Sequence, residues 1–171
     1  MKKILILTLL FLFSCQNSSP GGFYSGKYIE FEYPPGWKII DLETFKELGV
    51  EAKYIEIGKT GWDESGLVII TVYNFIENKN DFIDSMIAEY DELWGGILNV
   101  NLINKHTKKF NGYEALYAES KVNFLGMPYI FEFYAIHQAS NTYGFMKFSA
   151  VEDFEKNKNG FNVIENTLEI K

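Results

Sequence analysis

At 171 residues, 47% hydrophobic and 23% charged, the chain is long enough to bury one substantial core without disulfides or metal, and a second domain is not expected. Its 15 Phe and 11 Tyr favour strands and exclude general disorder. A formal charge of −7, with no arginine among the basic residues, argues against a nucleic-acid partner and against direct contact with anionic lipid.

The chain opens MKKILILTLLFLFSC. Two lysines precede a run, Ile4 to Phe13, that is apolar except for Thr8 and ends just before Ser14 and Cys15. Ten residues, nine of them apolar, are too few to span a bilayer, which needs about 20. Residues 1–14 therefore read as a signal peptide. The segment Leu12-Phe13-Ser14-Cys15 resembles the lipobox of bacterial lipoproteins, with an aliphatic residue three before the cysteine and a small one directly before it. The resemblance implies cleavage before Cys15 and a diacylglycerol on its thiol. A second acyl chain turns marginal membrane association into stable anchoring, at about 0.8 kcal/mol per buried CH₂. Cys15 is the only cysteine, so no intrachain disulfide is possible. Removing residues 1–14 takes two of the 16 lysines and none of the 23 acids, which moves the side-chain balance to −9. Residues 15–22 follow as lipidated cysteine and tether, and 23–171 as one domain.

Within that domain, Ile29, Phe31 and Tyr33 alternate with Glu30 and Glu32, the period of a half-buried strand. Pro34-Pro35-Gly36 ends it, and Trp37–Asp41 is expected to return beside it as a hairpin. LETFKEL, residues 42–48, reads as a short helix. Strands are expected at Ala52–Ile57 and Leu67–Phe75, the second so uniformly apolar that both its faces should be covered. GKTGWDESG lies between them as a turn. Asp81–Trp94, capped by Asn80, carries Phe82, Ile83, Met86, Ile87, Tyr90 and Trp94 on one helical face. Four strands then follow, near Val100–Lys109, Tyr113–Phe124, Tyr129–His137 and Tyr143–Val151. Residues Glu152–Leu168 read as helical, with Asn159-Gly160 as a break.

This order gives an α+β fold, a three-layer α/β/α sandwich around a mainly antiparallel sheet of about seven strands. The stretches YIEFEYPPGWKI, NGYEALYAES, YIFEFYAIH and FNVIENTLEI resemble the PsbP-like superfamily, which includes the photosystem II subunit PsbP, a Ran-binding protein and many bacterial lipoproteins. The resemblance implies a seven-stranded antiparallel sheet between helices. It implies no activity, because members bind unrelated partners.

Catalytic motifs are missing from the sequence. GFYSG spaces its first glycine wrongly for a nucleophile elbow, and no P-loop, dinucleotide fingerprint, HExxH or EF-hand loop occurs. Neither a cofactor nor a metal is expected. His106 and His137 fall on strands separated by a third, about 10 Å apart, too far to share a metal. The meander is more suggestive. Tyr113, Tyr117, Glu119 and Lys121 share one face of their strand, Ile130, Glu132, Tyr134 and Ile136 one face of the next, and Lys147 lies mid-strand beyond. Such charges among tyrosines line a groove or form cross-strand ion pairs. Trp37 and Trp62, each beside a turn glycine, are the expected exposed contact residues, with burial of Trp37 in the core as its other reading.

These readings point to a lipid-anchored extracytoplasmic module that binds or assembles with a protein partner. Its expected mark is an exposed aromatic patch without a deep pocket. A carrier of a small or apolar ligand is the alternative and requires a closed cavity between sheet and helix. A hydrolase is the remote alternative and requires a nucleophile beside a base.

Overall fold

The structure, a computed structural model, describes residues 20–47, 49–59, 65–75, 78–93, 102–124 and 126–171. Ten strands are built from them: β1 (Gly22–Ser25), β2 (Ile29–Tyr33), β3 (Trp37–Glu47), β4 (Val50–Lys59), β5 (Leu67–Tyr73), β6 (Leu102–Phe110), β7 (Tyr113–Phe124), β8 (Met127–Gln138), β9 (Asn141–Ala150) and β10 (Glu169–Ile170). Two α-helices accompany them, α1 (Lys79–Leu93) and α2 (Phe154–Thr167). Strands β3-β4-β5-β9-β8-β7-β6 form a seven-stranded sheet whose neighbours are all antiparallel, and β1-β2-β10 form a smaller one. The α+β sandwich expected from the sequence is the observed architecture.

The expected four-strand meander is present as β6 to β9, and β9 closes it by pairing with β5. The buried run Val68–Val72 does lie inside the sheet with both faces covered. Ile70 and Val72 face one core and Ile69 the other. The first core lies between the large sheet, α2 and the small sheet, where Phe110, Tyr134 and Phe145 meet Phe31, Trp37, Phe161 and Ile164. The second lies between the opposite face and α1, where Phe131, Phe133 and Met146 meet Phe82, Ile83, Met86 and Tyr90. Gly144 of β9 makes room for α1. A Cβ there would stand 2.7 Å from the Phe82 ring and 2.8 Å from the Met86 sulfur.

Several expectations are corrected. Residues 42–47 continue β3 instead of coiling. They zip in register against β4, from Leu42 opposite Ile55 to Glu47 opposite Val50, and this ladder outweighs the weak local preference of LETFKEL for helix. The Trp37 strand does not form a hairpin with β2. The chain turns at Pro34–Trp37, where the Trp37 N–H donates to the Pro34 carbonyl at 3.1 Å, and passes from the small sheet to the large one. The cap of α1 is Asn78, whose side-chain oxygen accepts the Asn80 N–H at 2.9 Å. Asn159-Gly160 does not interrupt α2, which runs unbroken from Phe154 to Thr167. Gly160 is a point of close approach: a Cβ there would stand 2.4 Å from Cε2 of the Trp37 indole.

Candidate functional site

Five of the candidate residues converge on one place. Hairpin registers set Tyr117 opposite Tyr134, Glu119 opposite Glu132, and Glu132 opposite Lys147, all on the face that α2 covers. The Lys147 side chain is 8% exposed, and its ammonium stands 3.5 Å from a Glu132 oxygen and pairs with Glu165 of α2. The Tyr117 hydroxyl lies 2.9 Å from Glu119 Oε2 and 3.0 Å from Glu132 Oε1, so one phenolic proton serves two carboxylates. Tyr134 accepts from Lys108 at 3.2 Å. Burial, followed by the Glu132 carboxylate, pushes both phenols far above their usual range and keeps them neutral.

A cavity of about 250 Å³ opens beside this cluster, lined by Lys108, Tyr134, Lys147, Lys158, Asn162 and Glu165 among others. Lys147 is paired there with both lining carboxylates, Glu132 and Glu165, while Lys108 bonds the Tyr134 hydroxyl and Lys158 pairs with Glu155. The arrangement holds α2 against the sheet, and the cross-strand ion pair expected from the sequence is present.

The other candidates lie apart from it. The Tyr113 hydroxyl accepts the Ile170 N–H at 3.2 Å and fixes the C-terminal strand. Trp37 is 3% exposed and packs edge-on against Phe161, their ring centroids 5.4 Å apart. It is a core residue, as its second reading had it, and not an exposed contact. Trp62 and Cys15 lie outside the described residues. His106 lies edge-on to Tyr117 at 5.0 Å, while His137 stands opposite Thr142 at the far end of β8. Among the described residues no group of three His, Cys, Asp or Glu side chains is arranged to hold a metal, and no helix is long and apolar enough to cross a membrane. Ser25 bonds Glu30 and Lys171 and has no histidine beside it in these contacts.

A second region was not legible in the sequence. Helix α1 packs on β7 and β8 and leaves the β3–β4–β5 side of its face partly open. Two adjoining basins lie there. One, of about 430 Å³, is lined by Phe45, Ala52, Tyr73, Met86 and Glu89 among others. The other, of about 270 Å³, is lined by Glu56, Leu67, Ile69, Phe131, Met146 and Phe148. Tyr54 and Tyr90 line both. Tyr54 also donates to Glu56 at 2.9 Å. At the rim, Ile40 and Phe45 are 50% and 54% exposed. Ile40 sits on a β-bulge between Ile39 and Asp41, and its tip lies over Gly58 beside Leu67. This is an exposed aromatic and aliphatic surface beside two basins, and no wall encloses them among the described residues.

The same architecture occurs in the cyanobacterial PsbP, CyanoP, of Synechocystis, which superposes at a TM-score of 0.61 and 15% identity over 91% of this chain and 94% of its own. The chain has a PsbP-like fold. A structure from Bacteroides thetaiotaomicron matches at 0.53 and 14% identity over 89% of this chain, which spans about half, 48%, of that longer one. LpqN of Mycobacterium tuberculosis, described as involved in cell envelope biogenesis, is more distant at 0.48 and 8% identity, over 88% of this chain and 90% of its own. No family model and no curated protein matches the sequence. At these identities the PsbP-like likeness establishes architecture alone.

Proposed function

We propose that this protein is an extracytoplasmic binding module, held at a membrane by lipid on Cys15, that takes a protein partner on the open α1 side of its sheet. The observation that carries the reading is the surface at Ile40 and Phe45, two large apolar side chains half-exposed beside the Tyr54–Tyr90 groove. Large exposed apolar side chains beside a groove, rimmed here by Asp41 and Glu43 on the same face of β3, mark an interaction surface. The cluster around Lys147, by contrast, spends its polar groups on one another. The alternative of a small-ligand carrier needs an enclosed cavity, and among the described residues nothing closes these basins.

The test is capture of the full-length protein from its own envelope as wild type, Phe45→Asp and Lys108→Ala. A protein retained by wild type and Lys108→Ala but lost from Phe45→Asp supports the reading. Retention by Phe45→Asp contradicts it, and recovery of a small molecule without any protein supports the carrier instead.

A further inference from the structure

Resting on that reading of the α1 side, we infer that the partner engages β3 by strand addition, through an extended segment that alternates apolar with basic residues. Among the described residues β3 pairs only with β4, so its other edge presents backbone N–H and C=O groups between Lys38 and Glu47, the Leu42 N–H being bonded to the Asp41 carboxylate at 2.7 Å. A long, exposed edge strand with apolar side chains is a template for pairing, and proteins ordinarily blunt it with lysines. The opposite edge of the same sheet is blunted in that way: β6 carries Lys105, Lys108 and Lys109. β3 carries Lys38 and Lys46 near its ends, and between them Ile40, Leu42 and Phe45 are exposed.

Charge selects the occupant. Asp41, Glu43 and Phe45 alternate along one face of β3, opposite Glu56, Tyr54 and Ala52 of β4, which is the face of the groove. Asp41, Glu43 and Glu56 therefore lie on the face of Phe45, with Lys53 also lining the basin, while Leu42 and Lys46 are on the other face and Lys46 is 3.4 Å from Glu51. A second copy of this chain fits poorly over the acidic segment 41–47. Twofold antiparallel pairing centred on Asp41, Leu42 or Glu43 sets an acid opposite an acid, and centring it on Thr44 or Phe45 sets Glu47 opposite Asp41 or Glu43. A strand with lysine or arginine at alternate positions meets those carboxylates, and its apolar residues extend the Phe45 surface.

The probe is a short amidated peptide alternating lysine with valine, as long as Asp41–Glu47. Its controls are the glutamate–valine twin and a lysine–valine version N-methylated at alternate amides. Amide hydrogen exchange of the full domain reports the site. The inference expects slowed exchange in residues 41–47 with the lysine peptide, at least about tenfold weaker binding of the glutamate twin, and loss of protection on N-methylation. Unchanged β3 exchange, protection at β6 instead, or equal binding of both peptides overturns it. So does concentration-dependent dimerisation that protects β3 without peptide. If capture depends on Phe45 while β3 exchange ignores the peptide, the binding surface stands and strand addition fails. If β3 is protected while no envelope protein depends on Phe45, the proposed function fails and the edge chemistry stands.

Discussion

Gly160→Ala separates packing from local propensity, because the two predict opposite signs. In the interior of α2, replacing glycine by alanine stabilises the helix by about 1 kcal/mol. The new methyl would stand 2.4–2.5 Å from three atoms of the Trp37 indole, where 3.4 Å is the near limit of ordinary contact. The ring or the helix must give by about 1 Å, and neither moves freely. Trp37 is 3% exposed and wedged against Phe161. Overpacking of this kind costs about 1–3 kcal/mol. With three ring atoms in the way the upper end applies, leaving a net loss of about 2 kcal/mol and a fall in Tm of about 4–8 °C. Urea unfolding followed by far-ultraviolet circular dichroism measures it. In a Trp37→Leu background the same change should be neutral or stabilising, a coupling of about 2–3 kcal/mol. A Gly160→Ala midpoint above wild type would refute the close-approach account.

Lys147→Met leaves Glu132 and Glu165 near one another without their shared cation, and should cost about 3 kcal/mol in urea unfolding. Adding Glu132→Gln and Glu165→Leu should restore most of it, and no recovery would show that the cluster is not one electrostatic unit. The Asp153 carboxyl is held below its ordinary 3.8 by Lys156 and by hydrogen bonds from Ser65. Its contribution is therefore complete above that value and is lost as the pH falls through the lower folded pKa. Asp153→Asn should flatten acid unfolding below about pH 4, and an unchanged acid limb would contradict this. A fatty-acid probe should label the wild type and not Cys15→Ala. Labelling that survives the substitution would remove the anchor.

The parts of the fold legible in the sequence were those whose signal is local. Alternation placed Tyr117 and Glu119 on one face and Glu132 and Tyr134 on one face, and consecutive hairpins then fixed their register to Lys147. The small sheet was not legible. It joins residues from both ends of the domain, Ile29 opposite Ile170, and a two-strand contact of that sequence separation leaves no periodic trace. Glu165 and Lys108 joined the cluster only through the docking of α2 and the pairing of β6, which are tertiary facts. Reading 42–48 as helix hid the groove, because it removed Phe45 from the sheet edge. Gly160 was read as a helix breaker, but its role depends on the Trp37 ring, 123 residues away in sequence by their numbers.

The central claim, that the α1-side edge of the sheet is the contact surface, is met most directly by photo-crosslinking in intact cells. A benzoylphenylalanine is placed at position 45 in one form of the protein and at position 158, beside the Lys147 cavity, in another. The account predicts a discrete protein adduct from position 45 and none from position 158. An adduct from 158 alone, or from neither position in protein confirmed to be folded and in its membrane, would contradict it.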